Sequence, residues 1–89
     1  MAEKSQNLVG PQIRRLRRAA GMSQNDLAIK LQVKGWDISR GGVSKIESRL
    51  RLVNDAEIFL LAAVLGHEIK ELFPNRPARI KDVLRQGRD

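Results

Sequence analysis

The residues of this sequence with chemistry to offer are its cations. Between Arg14 and Arg51 stand ten basic residues, opposed only by Asp26, Asp37 and Glu47. From Leu52 to Asn75 the balance reverses, with Asp55, Glu57, Glu68 and Glu71 facing Lys70 alone, and from Arg76 the chain turns basic again. One part of the chain is suited to meet a polyanion and another to face away from it, beyond what scattered solvated charge would give. A net charge of +7 over 89 residues makes nucleic acid the first partner class and an anionic membrane the second. Other chemistry lacks material. There is no cysteine for a disulfide, a thiol nucleophile or a metal site, and His67 is the only histidine. No nucleophile, base and orienting group converge on any expected pocket, so neither an enzyme nor a metal or other cofactor is expected.

The cations must be positioned by something, and the stretch Ile38–Glu47, ISRGGVSKIE, shows how. Its apolar spacing and its Ser start call for a helix, although two adjacent glycines weaken it by roughly 1 kcal/mol each relative to Ala. With Arg40 at the origin of a helical wheel, Ser44, Ser48, Gly41 and Lys45 fall at about 40°, 80°, 100° and 140°. Val43, Ile46, Glu47 and Leu50 fall between about 240° and 340°. The second arc is a packing face; the first is polar or bare. Gly41 lies in the middle of that outer arc and Gly42 at its edge, so a bare first turn would let the helix approach a ligand closely between Arg40 and Lys45. The alternative is that both glycines are tolerated because a first turn suffers less from poor propensity.

Around this segment the pattern is helical throughout, with no strand alternation of any length. Pro11 opens a first helix carrying Ile13, Leu16 and Ala20, and Gly21 closes it. Met22-Ser23 before Leu27, Ile38-Ser39 before Val43 and Val53-Asn54 before Ile58 are three cap-and-staple signals, with Asp26 and Glu57 as capping-box partners. Leu27, Ala28 and Leu31 form the buried stripe of the second helix. The fourth runs through Ile58, Leu61, Ala62 and Leu65 to Gly66, and a last short turn ends at Pro74. The fold class is all-α, five short helices from about Pro11 to Phe73. Residues 1–9 read as a flexible arm, 10–75 as the domain and 76–89 as a basic tail. No apolar run approaches the roughly 20 residues that span a bilayer, and MAEKSQNLVG has no signal-peptide core, so a cytoplasmic location off the membrane is expected.

In this order the elements resemble the helix-turn-helix family of phage repressors and Cro-like regulators, the XRE family. The resemblance rests on Ile13, Leu16, Arg17 and Gly21; on Ser23-Gln24 followed by Leu27, Ala28 and Leu31; and on Ile38-Ser39 followed by Val43-Ser44-Lys45-Ile46-Glu47. Leu61, Ala62, Leu65, Gly66, Leu72 and Phe73 match its closing helices. The chain departs from the family at Gln32–Asp37, a connection longer than the usual tight turn between the second and third helices. There a bulged loop is expected, pinned by Trp36 against the core, with direct base contact by Trp36 as the lesser reading.

The resemblance implies a compact repressor-like domain that binds double-stranded DNA as a homodimer on a two-fold operator. The third helix would enter the major groove, with Arg40, Gly41, Ser44 and Lys45 at the bases and Arg40 suited to a bidentate contact with guanine. Ser23, Gln24, Ser48 and Arg49 would meet phosphates, Gln24 with help from the helix N-terminus. Arg17 and Glu47 match a structural ion pair. Dimer contacts are expected from Leu72 and Phe73, with Ile80, Val83 and Leu84. So short a chain leaves no room for a ligand-sensing domain, so control would come from abundance, proteolysis or a protein partner at the tail. Two other readings are an antitoxin-like regulator clasping a second protein and a helical adaptor without a DNA role; the adaptor leaves the basic block unexplained.

Overall fold

Three of the four long helices start at a side chain that accepts a backbone N–H, and this sets their boundaries in the computed structural model, which describes residues 4–85 and 87. Ser23 and Asp26 form a reciprocal capping box at the start of α2 (Gln24–Val33). Ser39 Oγ accepts from Gly42 N at 3.2 Å at the start of α3 (Arg40–Glu47). Asn54 and Glu57 form a second capping box at the start of α4 (Asp55–Leu65), which ends on left-handed Gly66. Each cap satisfies amides that the first helical turn leaves without partners. A short 3-10 helix (Ile69–Leu72) and a one-turn α5 (Ile80–Val83) follow. The described residues contain no strand and no helix long and apolar enough to cross a membrane.

The first helix, α1 (Gly10–Ala19), is capped differently. Val9 at its cap offers no side-chain acceptor. Instead Asn7 Oδ1 accepts from Gly10 N at 2.9 Å, while its amide Nδ2 donates to Ile46 O at 3.1 Å and Arg51 O at 2.9 Å. One buried amide thus completes the start of α1 and ties it to the end of α3. Gln6 N donates to Arg49 O, and Val9 lies in the core beside Ile13. The segment expected as a flexible arm is therefore packed structure from Ser5 onward; Met1, Ala2 and Glu3 lie outside the described residues.

The core gathers one stripe from each element: Ile13 and Leu16, Leu27 and Leu31, Val43 and Ile46, Leu61 and Leu65, and Leu72. α3 rests on α1 and α2, and α4 spans α1, α2 and the 3-10 helix. Leu72, expected at a dimer contact, is instead fully buried, and Phe73 is half-buried against the same core, so the 3-10 helix closes the domain. Between α2 and α3 the chain turns through residues 34–39. Gly35 takes φ +99°, Trp36 N donates to Leu31 O, and Gln32 Nε2 donates to Ile38 O at 2.7 Å. Trp36 packs on the core with the Arg51 guanidinium 6.0 Å above its ring. α2 itself continues two residues past Leu31, which absorbs part of the extra length.

Candidate nucleic-acid interface

The inner face of α3 is Val43, Ile46 and Glu47, all buried; the outer face presents Arg40, Gly41 and Lys45, exposed, and half-buried Ser44. The helix stops at Glu47, so Leu50, placed on the inner arc by extrapolation, lies beyond its end and is half exposed. Ser48 caps the end and is exposed. Arg49 then turns to a left-handed φ of +63°. Its guanidinium donates to Asn7 O at 2.7 Å and Ala78 O at 3.1 Å. Arg49, expected at a phosphate, thus ties the N-terminal segment and the tail to the end of α3.

A second helix meets this face. Gln24, the first residue of α2, lines one groove with Ser39, Arg40, Gly41 and Ser44. Residues 15 or more apart in sequence thereby present a carboxamide, a hydroxyl pair, a guanidinium and bare backbone to one space. Ser23 stands at the edge as the cap of α2; its hydroxyl oxygen accepts from Asp26 N and retains its own proton to donate. The cap's hydrogen bonds hold the Asp26 carboxyl below its usual range, the Ser23 backbone N–H contributing most.

Behind the groove Arg17 and Glu47 form a two-point ion pair. Arg17 Nε donates to Glu47 Oε2 at 2.6 Å and Nη2 donates to Oε1 at 2.9 Å, with the two side chains only 7 % and 2 % exposed. Arg17 Nη1 donates to Met22 O, and Gln24 Nε2 donates to Glu47 Oε1 at 3.1 Å. Glu47 therefore presents no net charge to the groove, and it fixes the carboxamide of Gln24. The hydrogen bond to Glu47 raises the pKa of Arg17 above its already high ordinary value, against the effect of burial.

The two glycines of α3 have different reasons. A Cβ on Gly41 would find only Ser39 Oγ at 3.6 Å, so this position opens onto the groove. A Cβ on Gly42 would lie 2.6 Å from Ile38 Cγ1 and 3.2 Å from Cδ1, so this glycine makes room for the residue that staples the start of the helix. Gly41→Ala is expected to raise stability by up to about 1 kcal/mol, through the smaller entropy of the unfolded chain. Gly42→Ala is expected to lower it by about 1–3 kcal/mol through overpacking. Urea denaturation of the two variants checks the pair; equal signs would place Ile38 elsewhere.

Two residues of this region are not evident from the sequence, Asn7 in any role and Ser39 as more than a cap. Nothing local marks Asn7, whose partners are 39 and 44 positions away. No group of His, Cys, Asp and Glu able to hold a metal occurs among the described residues.

Comparison with known proteins agrees with this geometry. Residues 13–72 match the model of a helix-turn-helix family. The structure is similar to that of the restriction-modification controller protein C.AhdI from Aeromonas hydrophila, with a TM-score of 0.64 and 37 % identity over 74 % of this chain and 96 % of that one. It is also similar to the DNA-binding domain of BldD, with a TM-score of 0.66 and 26 % identity over 83 % of this chain and all of that one. No curated protein gives a significant match.

Proposed function

The chain belongs to the XRE-type helix-turn-helix family of DNA-binding transcription regulators, and from that premise we propose that it is a cytoplasmic repressor that binds a two-fold operator as a dimer. The observation that carries this reading is the groove of Gln24, Ser39, Arg40, Gly41 and Ser44, where an α-helix exposes a polar, partly bare face beside the N-terminus of another. Such a face suits base edges in the major groove, while the helix N-terminus suits a phosphate. Arg40 takes a guanine bidentately, Gly41 allows the backbone to come close, and Ser44 and Lys45 reach neighbouring bases. Ser23, Gln24 and Ser48 hold phosphates and so fix the register. The similarity to C.AhdI, a restriction-modification controller protein, favours, as a more specific reading, control of a restriction-modification gene set.

Selection from random duplexes, followed by isotherms on the recovered and scrambled sequences, tests the reading. A motif with two-fold symmetry is expected, and affinity should fall steeply with salt as phosphate-bound cations are released. Arg40→Ala should cost about 1–3 kcal/mol on the recovered duplex and relax preference at one base pair. Gly41→Gln should weaken specific binding while leaving affinity for the scrambled duplex nearly unchanged. Recovery of no motif would favour an adaptor without a DNA role.

The dimer reading is supported by α4. From Ile58 to Leu65 every residue is apolar, yet only Leu61, Ala62 and Leu65 are buried in the core. A helix apolar around its whole circumference is normally covered on all sides. Its outer face is Ala56, Phe59 and Ala63, with Phe59 66 % exposed between two alanines one turn away on either side. A ring flanked by small residues is self-complementary, as an isologous contact requires. Phe59→Lys should leave the fold intact and produce a monomer in sedimentation equilibrium, with weaker operator binding. A dimer that persists would move the contact to another face.

A further inference from the structure

We propose that α1 carries a second phosphate-binding surface, in which Arg14 and Arg18, with Arg15 beside them, grip the DNA backbone next to the recognition helix. The proposal rests on the DNA-binding reading above and adds residues that neither the groove nor the family comparison assigns.

Arg14, Arg15 and Arg18 are exposed and line one open cleft with Pro11 and Glu47. Arg17, between them in sequence, turns inward to Glu47. Among the described residues the other three form no ion pair; Arg15 Nε donates only to Gln12 Oε1 at 3.0 Å. Three guanidinium groups within about one helical turn repel one another, and Arg14 and Arg18 stand at the i, i+4 spacing where like charges weaken a helix. A polyanion relieves that repulsion.

The position of the cleft says which polyanion. Glu47 lines it, and the same carboxylate accepts from Gln24, which lines the groove with Arg40 and Ser44. The chain Arg17–Glu47–Gln24 is thus a single layer of side chains between two clefts. A backbone strand held at Gln24 and the N-terminus of α2 continues onto the α1 cleft without crossing an acidic surface, because Arg17 neutralises Glu47. Arg14 and Arg18 are about 6 Å apart along the helix, and one DNA strand carries a phosphate every 3.4 Å or so of axis. The two guanidinium groups can therefore take separate phosphates, each in the bidentate geometry that favours arginine over lysine.

The test uses the full chain with Arg14→Gln and Arg18→Gln combined, and follows anisotropy of the selected and scrambled duplexes across a salt series. The melting temperature should stay at the wild-type value or rise slightly as the like-charge repulsion is removed. The log–log salt slope should become shallower by about 1.8 per bound protomer, about 3.6 for the dimer, from roughly 0.9 per lost phosphate contact. Affinity should fall by a similar factor on both duplexes, with base preference unchanged. An unchanged slope in the folded double variant overturns the proposal while leaving the groove reading intact. An equal loss in Lys30→Gln with Lys34→Gln, which removes the same charge from the end of α2 and the residue that caps it, also overturns it, because net charge alone would then suffice. Inorganic pyrophosphate distinguishes a free anion from the backbone: saturable binding that the α1 variant abolishes, with the DNA slope untouched, would make the cleft a small-anion site and overturn it too. A wild-type protein that binds no duplex ends the DNA reading and this proposal with it.

Discussion

Replacing Glu47 by alanine is expected to lower the free energy of unfolding by about 3–5 kcal/mol. The carboxylate accepts from Arg17 Nε and Nη2 and from Gln24 Nε2, and its side chain is 2 % exposed. Without it, the Arg17 guanidinium keeps only Met22 O as a partner, in a site that water reaches poorly. An unpaired buried charge is far costlier than the pair is stabilising, because two ions that were desolvated together leave one with nothing to offset its desolvation. Small domains unfold with about 5–15 kcal/mol, so the variant should stand near the edge of folding. Removing both charges separates this mechanism from a simple loss of contacts. Arg17→Met with Glu47→Leu should recover most of the lost stability, since apolar residues of similar size carry no desolvation debt. Burial also shields the pair from screening, so moderate salt should leave the difference between wild type and Glu47→Ala nearly unchanged. Urea denaturation of the single and double variants at two salt concentrations checks all three outcomes. A double variant as unstable as the single one would show that shape, and not charge, is what Glu47 supplies.

The same pair shows what a sequence can convey about such a protein. Capping is local, so Ser23, Asn54 and their box partners are legible three residues at a time, and the observed helix starts follow them. The apolar arc of α3 is legible from its period, which is why Val43 and Ile46 are in the core. The end of that helix is not: Arg49 leaves it in a left-handed conformation that its side-chain type does not announce, held by carbonyls 42 and 29 positions away. Asn7 is illegible for a like reason, since a polar residue in a polar segment looks the same whether its amide meets water or three backbone groups. Leu72 and Phe59 show a further limit. Phe59 lies on a helix apolar all round, where periodicity cannot say which residue faces outward, and Leu72 ends a single short turn, too brief to show a period that marks it as core. In the interface, the α3 side chains follow from spacing within one helix. Their meeting with Gln24, and the shared wall with the α1 arginines, depends on how three helices cross.

Gly10→Ala is expected to destabilise the protein by about 1–3 kcal/mol, toward the upper figure, although the same change at Gly41 should stabilise it. Gly10 is the first residue of α1 and is buried where that helix abuts the end of α3. A Cβ built there collides with the carbonyl oxygen of Ile46 and lies 3.0 Å from both Glu47 O and Asn7 Oδ1. Two of these atoms are backbone, so no rotamer change relieves the contact. Either α1 tilts away from α3 or Asn7 gives up its bond to Gly10 N, and each costs more than the roughly 0.4–1 kcal/mol an alanine returns by restricting the unfolded chain. Gly41, by contrast, faces open space. Melting and urea curves of the two variants should therefore move in opposite directions. The Gly10 variant should also bind DNA less well than its folded fraction allows, because a tilt of α1 displaces Arg17, and with it Glu47 and Gln24 beside the groove. Stability equal to wild type in Gly10→Ala would mean that α1 does not seat on the end of α3, and the position of the recognition helix would then need another support.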